Sequence, residues 1–344
     1  MGTDRLPTLL GFAGALAVLA GLVWFVGVDD VLDAFSQARL PIVALLLVVA
    51  TLWLSAWGMA LKSVLDAVGA PVPAHTAILV FTAAIFSNNV TPFGQAGGEP
   101  LSALLISEAA DTEYENGLAS IASVDTLHFV PSVGYAIIGF VFVAAGAVRL
   151  GRDLRFAAVA VAGLAVALPV GAYLGWRYRH ELEAAVARAV TPVVRLVSRV
   201  LPGRTPPTEA VVAERIESFF GSIDRVAADR ETLLEAIGFS ALGWLCLCGS
   251  LWLSLFALGE TVPVAAVLLV VPVGAIASVT PLPGGSGAIE TVIATLLVPT
   301  TGVSLAVATS AVLLHRGATY WLPTLIGGGV AATLGAGQVT ERDR

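Results

Sequence analysis

Charge is what this sequence has least of: Asp, Glu, Lys and Arg make up 12% of 344 residues, where an ordinary globular domain carries about 25%. Lys62 is the only lysine, so the basic residues are nearly all arginine. A net charge of −7 leaves no basic face for phosphate backbones and excludes a nucleic-acid binder. The two cysteines, Cys246 and Cys248, are too close in sequence to bridge readily, and they lack a zinc spacing. They read as small residues of an apolar segment. With no Walker A loop and no metal-ligand cluster, neither cofactor nor metal is expected.

What is present is apolar. Hydrophobic residues make up 57% of the chain, and mean hydropathy is +0.88. They come in blocks of the length that crosses a bilayer, about 20 residues. In hydrocarbon the backbone must satisfy its own hydrogen bonds, and the blocks lack two-residue alternation, so they are expected to be helices. The expected spans are Leu9–Val28, Leu40–Leu61, Ala74–Thr91, Leu118–Val148, Phe156–Trp176, Leu233–Leu258, Pro263–Thr280 and Val303–Leu334. The first lacks a convincing cleavage site and is read as a retained helix. Pro100–Ser107 and Ala288–Val298 are too short to span, and each follows a Gly/Pro-rich turn, the pattern of re-entrant or broken helices. The fold class is therefore all-α: a polytopic membrane bundle of about eight transmembrane helices plus two re-entrant half-helices in a pseudo-repeated arrangement. A multi-pass protein of the cell membrane is expected.

One integral membrane domain, 1–344, divides into a first helical half (1–176), a polar connector (177–232) and a second half (233–344). Within the connector, Ala184–Leu201 and Val211–Ile223 carry apolar residues at helical spacing, which suits amphipathic helices at the membrane surface. A solvated linker fits equally. The arginines at 177, 179 and 188 favour a cytoplasmic connector, but Arg149, Arg152 and Arg155 crowd the opposite end of the adjoining span.

The most informative feature is a near-repetition. Val90-Thr91-Pro92 leads through Gly94, Gly97 and Gly98 to Glu99. Val279-Thr280-Pro281 leads through Pro283, Gly284, Gly285 and Gly287 to Glu290. Proline ends the incoming helix, glycines let a backbone or ligand approach, and a glutamate then opens a short apolar helix. The start of such a helix carries unpaired N–H groups that favour an anion. Paired interruptions of this kind mark substrate sites in transporters built from repeats, although each could be an ordinary surface turn. Carboxylates at membrane depth line cavities, pair with cations or carry protons. Arg316, in the last apolar block with Tyr320 one turn on, is the expected partner of Glu99 and Glu290, the three converging on one cavity, although it could instead snorkel to the interface if the block breaks near Gly317. Asn88 and Asn89 are placed to donate to a head group or to cap the broken helix. Asp125 and His128 share a helix face and form either a proton relay or a mutually satisfied polar contact.

Those residues also carry a resemblance. Pro92…Gly97-Gly98-Glu99, then Pro281-Leu282-Pro283-Gly284-Gly285-Ser286-Gly287-Ala288-Ile289-Glu290, then Arg316…Tyr320…Pro323, resembles the lysylphosphatidylglycerol synthase transmembrane-region family, also called flippase-like. It covers nearly the whole chain. The resemblance implies handling of lipids with charged or sugar-bearing head groups, with membrane lipids, lipid-linked sugars and partner glycosyltransferases as associates. Two departures stand out. The sequence ends at Arg344, without the soluble aminoacyl-transfer domain of fused relatives, so lysine transfer to lipid is not expected. Pro100, Leu101 and Ser102 stand where relatives carry a basic residue after the first glutamate.

The leading functional expectation is a lipid flippase or scramblase for an anionic phospholipid or a polyprenyl-phosphate-linked sugar, a transporter rather than an enzyme. Two alternatives remain open. A membrane-embedded transferase would use Glu99 or Glu290 as general base. A proton-coupled transporter of small solutes would use the same carboxylates.

Overall fold

The computed structural model describes residues 28–36, 38–91, 94–146 and 209–342, with single positions elsewhere. The described residues are helical, with no strand among them. The expected spans Leu9–Val28 and Phe156–Trp176 and the expected helix Ala184–Leu201 lie outside the described residues, apart from single positions.

Two runs of elements follow the same local pattern. Each opens with a 28-residue helix, α2 (Leu40–Ala67) or α7 (Arg230–Ala257), preceded by the short α1 (Val28–Ser36) and by α6 (Glu209–Ala228) respectively. Each long helix stops at a left-handed glycine, Gly69 (φ 84°) or Gly259 (φ 89°). The next N–H reaches five residues back: Ala70 donates to the Leu65 carbonyl and Glu260 to that of Leu255. This is a Schellman closure, which only a residue at ease with positive φ forms cheaply. Pro73 and Pro263 then begin α3 (Ala74–Val90) and α8 (Val264–Ala275).

A broken turn and a short helix follow in both runs, α4 (Gln95–Ala109) and α9 (Ala288–Thr301). At 15 and 14 residues they are roughly 22 Å long, less than the ~30 Å of a bilayer core. Each run closes on a long apolar stretch. In the first it is α5 (Tyr114–Gly146). In the second, α10 (Leu305–Arg316) passes through a π-turn, Gly317–Trp321, into α11 (Leu322–Arg342). The block from Val303 to Leu334 is thus helical but interrupted beside Arg316.

The runs are interlocked. α2 packs along α7, α5 along α8, and α11 along α3. The last two crossings each rest on a glycine. A Cβ on Gly139 would lie 2.5 Å from the Leu269 nitrogen, and one on Gly327 would lie 2.2 Å from the Thr82 carbonyl oxygen. Small residues let helix backbones meet this closely. The shared core includes Leu61, Leu65, Ile121, Leu251, Leu269 and Leu297.

The outer surface is apolar too. Helices α2, α5 and α7 are long and apolar enough to cross a membrane, yet only 33%, 33% and 44% of their most apolar windows are buried in the protein. Leu45, Leu47, Val48, Val141, Phe142 and Leu325 face outward. Hydroxyls on these faces fold back on their own helices: Thr51 donates to the Leu47 carbonyl, Ser55 to Thr51 and Thr126 to Ala122. An outward face of aliphatic side chains with internally satisfied hydroxyls suits lipid. Around the connector, α6 extends across the expected Val211–Ile223 and packs on α5, where Arg215 pairs with Glu115 at 2.9 Å.

Candidate functional site

The two broken turns abut each other. A Cβ on Gly94 would lie 3.1 Å from the Ser278 carbonyl oxygen. One on Gly284 would come within 2.8 Å of Asn89 Oδ1 and 2.5 Å of the Tyr320 ring. Gly94, Gly284, Gly285 and Gly287 all have positive φ, between 54° and 87°, which other residues adopt only with strain. Thr91 and Thr280 finish the incoming helices by donating to the Ser87 and Ala277 carbonyls. Pro92 lies outside the described residues. Pro281 is exposed at the bend, and Pro283 is buried at the start of a 3₁₀ turn.

Glu290 and Arg316 form the most strongly built contact here. Arg316 Nε donates to Glu290 Oε1 at 2.7 Å, and Nη2 donates to the Gly284 carbonyl at 3.3 Å. The guanidinium lies 4.5 Å above the Tyr320 ring, whose own hydroxyl donates to the Asn89 carbonyl. The other Glu290 oxygen accepts the Gly287 N–H, so one carboxylate both caps α9 and holds the arginine. Glu290 is 3% exposed. The Arg316 side chain is 13% exposed, so its spare donors are not sealed from the cavity. Of the five guanidinium N–H donors two are engaged, leaving about three for a ligand.

Glu99 departs from the expected arrangement. Gly94 caps α4, so the helix begins at Gln95 and Glu99 lies beyond its first turn. The physical reason is local: the positive φ of Gly94 turns the chain early, and Gly98 lets α4 lie directly on Asn88. A Cβ there would sit 2.1 Å from Asn88 Oδ1. Gly97, beside it, is half-buried. Glu99 is half-buried, and its charge acts on Asp125 and Tyr114 of α5.

A cavity of about 390 Å³ lies between the runs. Arg316, His315, Asp125, His128, Asn88 and Asn89 line it, together with Trp53, Trp57 and Trp244. Asn89 is committed elsewhere, its amide donating to Thr324 Oγ1 at 2.8 Å and tying α3 to α11. Asn88 Oδ1, Asp125 Oδ2, His128 Nε2 and Trp53 Nε1 are buried without a hydrogen-bond partner in the protein. Unpaired buried polar atoms are costly and mark places where water or a ligand belongs. His128 stacks on Trp57 at 4.0 Å, and its Nδ1 stands 4.0 Å from Asp125 Oδ1, too far for a hydrogen bond. His315 Nδ1 meets Ser250 Oγ at 3.0 Å.

Sequence reasoning missed the three tryptophans, which sit inside spans read as uniformly apolar. The available signal was position: Trp53 and Trp57 are four apart, so they share one helix face, and Gly243 opposite leaves room for Trp57. No group of three or more potential metal ligands occurs among the described residues.

Comparison with known proteins shows the family. The family model described as the lysylphosphatidylglycerol synthase TM region matches residues 12–327. A UPF0104 membrane protein of Methanothermobacter thermautotrophicus is 27% identical over 334 residues, covering 94% of this chain and 92% of its own. A UPF0104 membrane protein of Pyrococcus horikoshii is 24% identical over 326 residues, covering 93% and 95%. The chain belongs to the lysylphosphatidylglycerol synthase TM-region family.

Proposed function

We propose that this member of the family moves the head group of an anionic phospholipid, or of a polyprenyl-phosphate-linked sugar, between membrane leaflets as a flippase or scramblase. The observation that carries the reading is Arg316. It is a half-buried guanidinium fixed by Glu290 and Gly284, with free donors, on the wall of a cavity between two interlocked runs of helices. Guanidinium groups bind phosphate through paired N–H donors, and fixing the group in advance lowers the entropy lost on binding. A volume near 390 Å³ suits a head group without its acyl chains, which would remain in lipid along the apolar outer faces.

In this reading the two runs are halves of an internal repeat. α4 and α9 enter the membrane without crossing it, and about eight helices span the cell membrane. The head group would meet Asn88, Gly284 and Arg316 on the cavity wall, with Glu290 and Tyr320 holding the guanidinium in place. Lipid-linked sugars would bring glycosyltransferases as working partners.

The test is head-group translocation in proteoliposomes, with labelled phosphatidylglycerol and a labelled polyprenyl-phosphate sugar offered to wild type and to Glu290→Gln at matched incorporation. Fast exchange of either lipid in the wild type, reduced at least tenfold in the variant, is expected. Exchange no faster than in empty liposomes refutes the reading for those lipids.

A further inference from the structure

The two runs place their ionisable residues in corresponding positions. Arg316 follows Glu290 by 26 residues, and Asp125 follows Glu99 by 26. Asp125 is the twelfth residue of α5, as Arg316 is the twelfth of α10. In the second run the glutamate on the short helix is answered by a cation. In the first run the same place holds a second carboxylate.

Asp125 has its Oδ2 buried without a partner and its side chain is 11% exposed, and α4, which carries Glu99, packs so closely along α5 that a Cβ on Gly117 would lie 2.5 Å from the Ala103 carbonyl oxygen. The cavity beside it presents a second unsatisfied group, His128 Nε2, on a residue that is 5% exposed. Other charged or titratable groups around the pair are few. On α5 they are His128, Tyr114 and Glu115, the last held by Arg215 of α6. Across the cavity on α10 stand His315 and Arg316, the latter paired with Glu290 of α9. Helices α2, α7 and α8 offer the cavity tryptophans and aliphatic residues, and α3 offers two asparagines.

We propose that Glu99 and Asp125 together bind one proton, which fills in the first run the role of the Arg316 guanidinium in the second, and that this proton is the ion coupled to lipid movement. The inference rests on the lipid-translocation reading and deepens it. Two carboxylates sharing a low-dielectric site do not both ionise readily, because the second charge would face the first without water between them. With one proton the pair carries a single negative charge, and without it two. An anionic head group drawn to Arg316 enters the same cavity that Asp125 lines, so it loads when the pair is protonated and is repelled when the proton leaves. The proton bound at the carboxyl oxygens departs to cavity water on one side and is replaced from water on the other. No other bond changes.

Proton binding and transport are tested separately. Infrared difference spectra of the purified protein across a pH titration should show a protonated-carboxyl C=O band at neutral pH. The band should be lost in Asp125→Asn. In Glu99→Gln it should titrate at lower pH, because removal of the neighbouring negative charge weakens the hold on the proton. If Asp125→Asn fails to elute as the wild type does, Glu99→Gln carries this arm. Absence of the band in the wild type, or a band that neither substitution moves, overturns the proposal.

In liposomes containing fluorescent phosphatidylglycerol, an imposed pH gradient should change net flux at least tenfold in the wild type. In Asp125→Arg, which restores the glutamate–arginine pairing, the gradient should have no effect. Wild-type flux that ignores the gradient overturns the coupling. A titrating band in a protein that moves no lipid would sink the translocation reading and leave the proton site standing.

Discussion

Replacing both partners of the Glu290–Arg316 pair should cost less than the sum of the two single replacements. Glu290 is 3% exposed and the Arg316 side chain 13%, and they meet at 2.7 Å. Truncating one member of a buried ion pair leaves an uncompensated charge and costs about 3–5 kcal/mol. Glu290→Ala also removes the acceptor for the Gly287 N–H, a loss of capping of about 1 kcal/mol. Arg316→Met leaves the Glu290 carboxylate buried with only that cap. Glu290→Gln/Arg316→Met removes both charges, keeps an amide oxygen for Gly287 and fills the space. Its cost should therefore fall below the sum of the single substitutions Glu290→Gln and Arg316→Met by about 1.5 kcal/mol or more. Equilibrium unfolding in detergent micelles, run as a double-mutant cycle, measures the difference. Strictly additive costs, within about 0.5 kcal/mol, would refute the reasoning that the pair is one unit.

The crossing glycines should be intolerant at two sites and indifferent at a third. Gly139→Ala and Gly327→Ala, whose new methyls would meet backbone atoms, should each destabilise by about 1–3 kcal/mol. Gly134→Ala meets nothing within 4 Å and should be neutral or stabilising by up to about 1 kcal/mol in the same equilibrium-unfolding assay. Gly284→Ala should cost stability through both its positive φ and its contact with Tyr320, and it should slow lipid exchange as it displaces the turn that holds Arg316. At the head of α7, Asp229 accepts from the Thr232 hydroxyl and N–H and from the Glu231 N–H, which holds its carboxyl below the ordinary value of 3.8. A depressed carboxyl adds stability above its ordinary value and loses it as pH falls through the folded one. Protection of the Glu231 and Thr232 amides, measured against the intrinsic exchange rate at each pH, should accordingly fall in acid in the wild type and stay low across the range in Asp229→Ala.

The membrane class and the family could be read from the sequence because long apolar blocks and the Pro-Leu-Pro-Gly-Gly-Ser-Gly segment carry their own physics. The Val-Thr-Pro turns at 90–92 and 279–281 pointed to the meeting of two glycine-rich segments. The fuller correspondence went unread, although Pro71-Val72-Pro73 and Thr261-Val262-Pro263 follow Gly69 and Gly259 in the same order. Glu99 was read as opening its helix because it follows the glycines, as Glu290 does. The cap at Gly94, a matter of one backbone dihedral, placed it later in the helix. A cavity at Arg316 was expected, but its tryptophan walls were not legible. Its walls come from residues far apart in sequence, such as Trp57 and Trp244, and no local periodicity distinguishes a tryptophan facing a cavity from one facing lipid.

The central claim is that a lipid head group occupies the cavity between the two runs. Photolabelling tests it most directly, using phosphatidylglycerol with a diazirine on its head group, followed by peptide mapping. The account predicts adducts on the cavity-lining peptides around Asp125–Ser132 and Arg316–Thr319, competed away by unlabelled lipid. Adducts confined to outward faces, such as Val141 and Phe142 of α5, would contradict it.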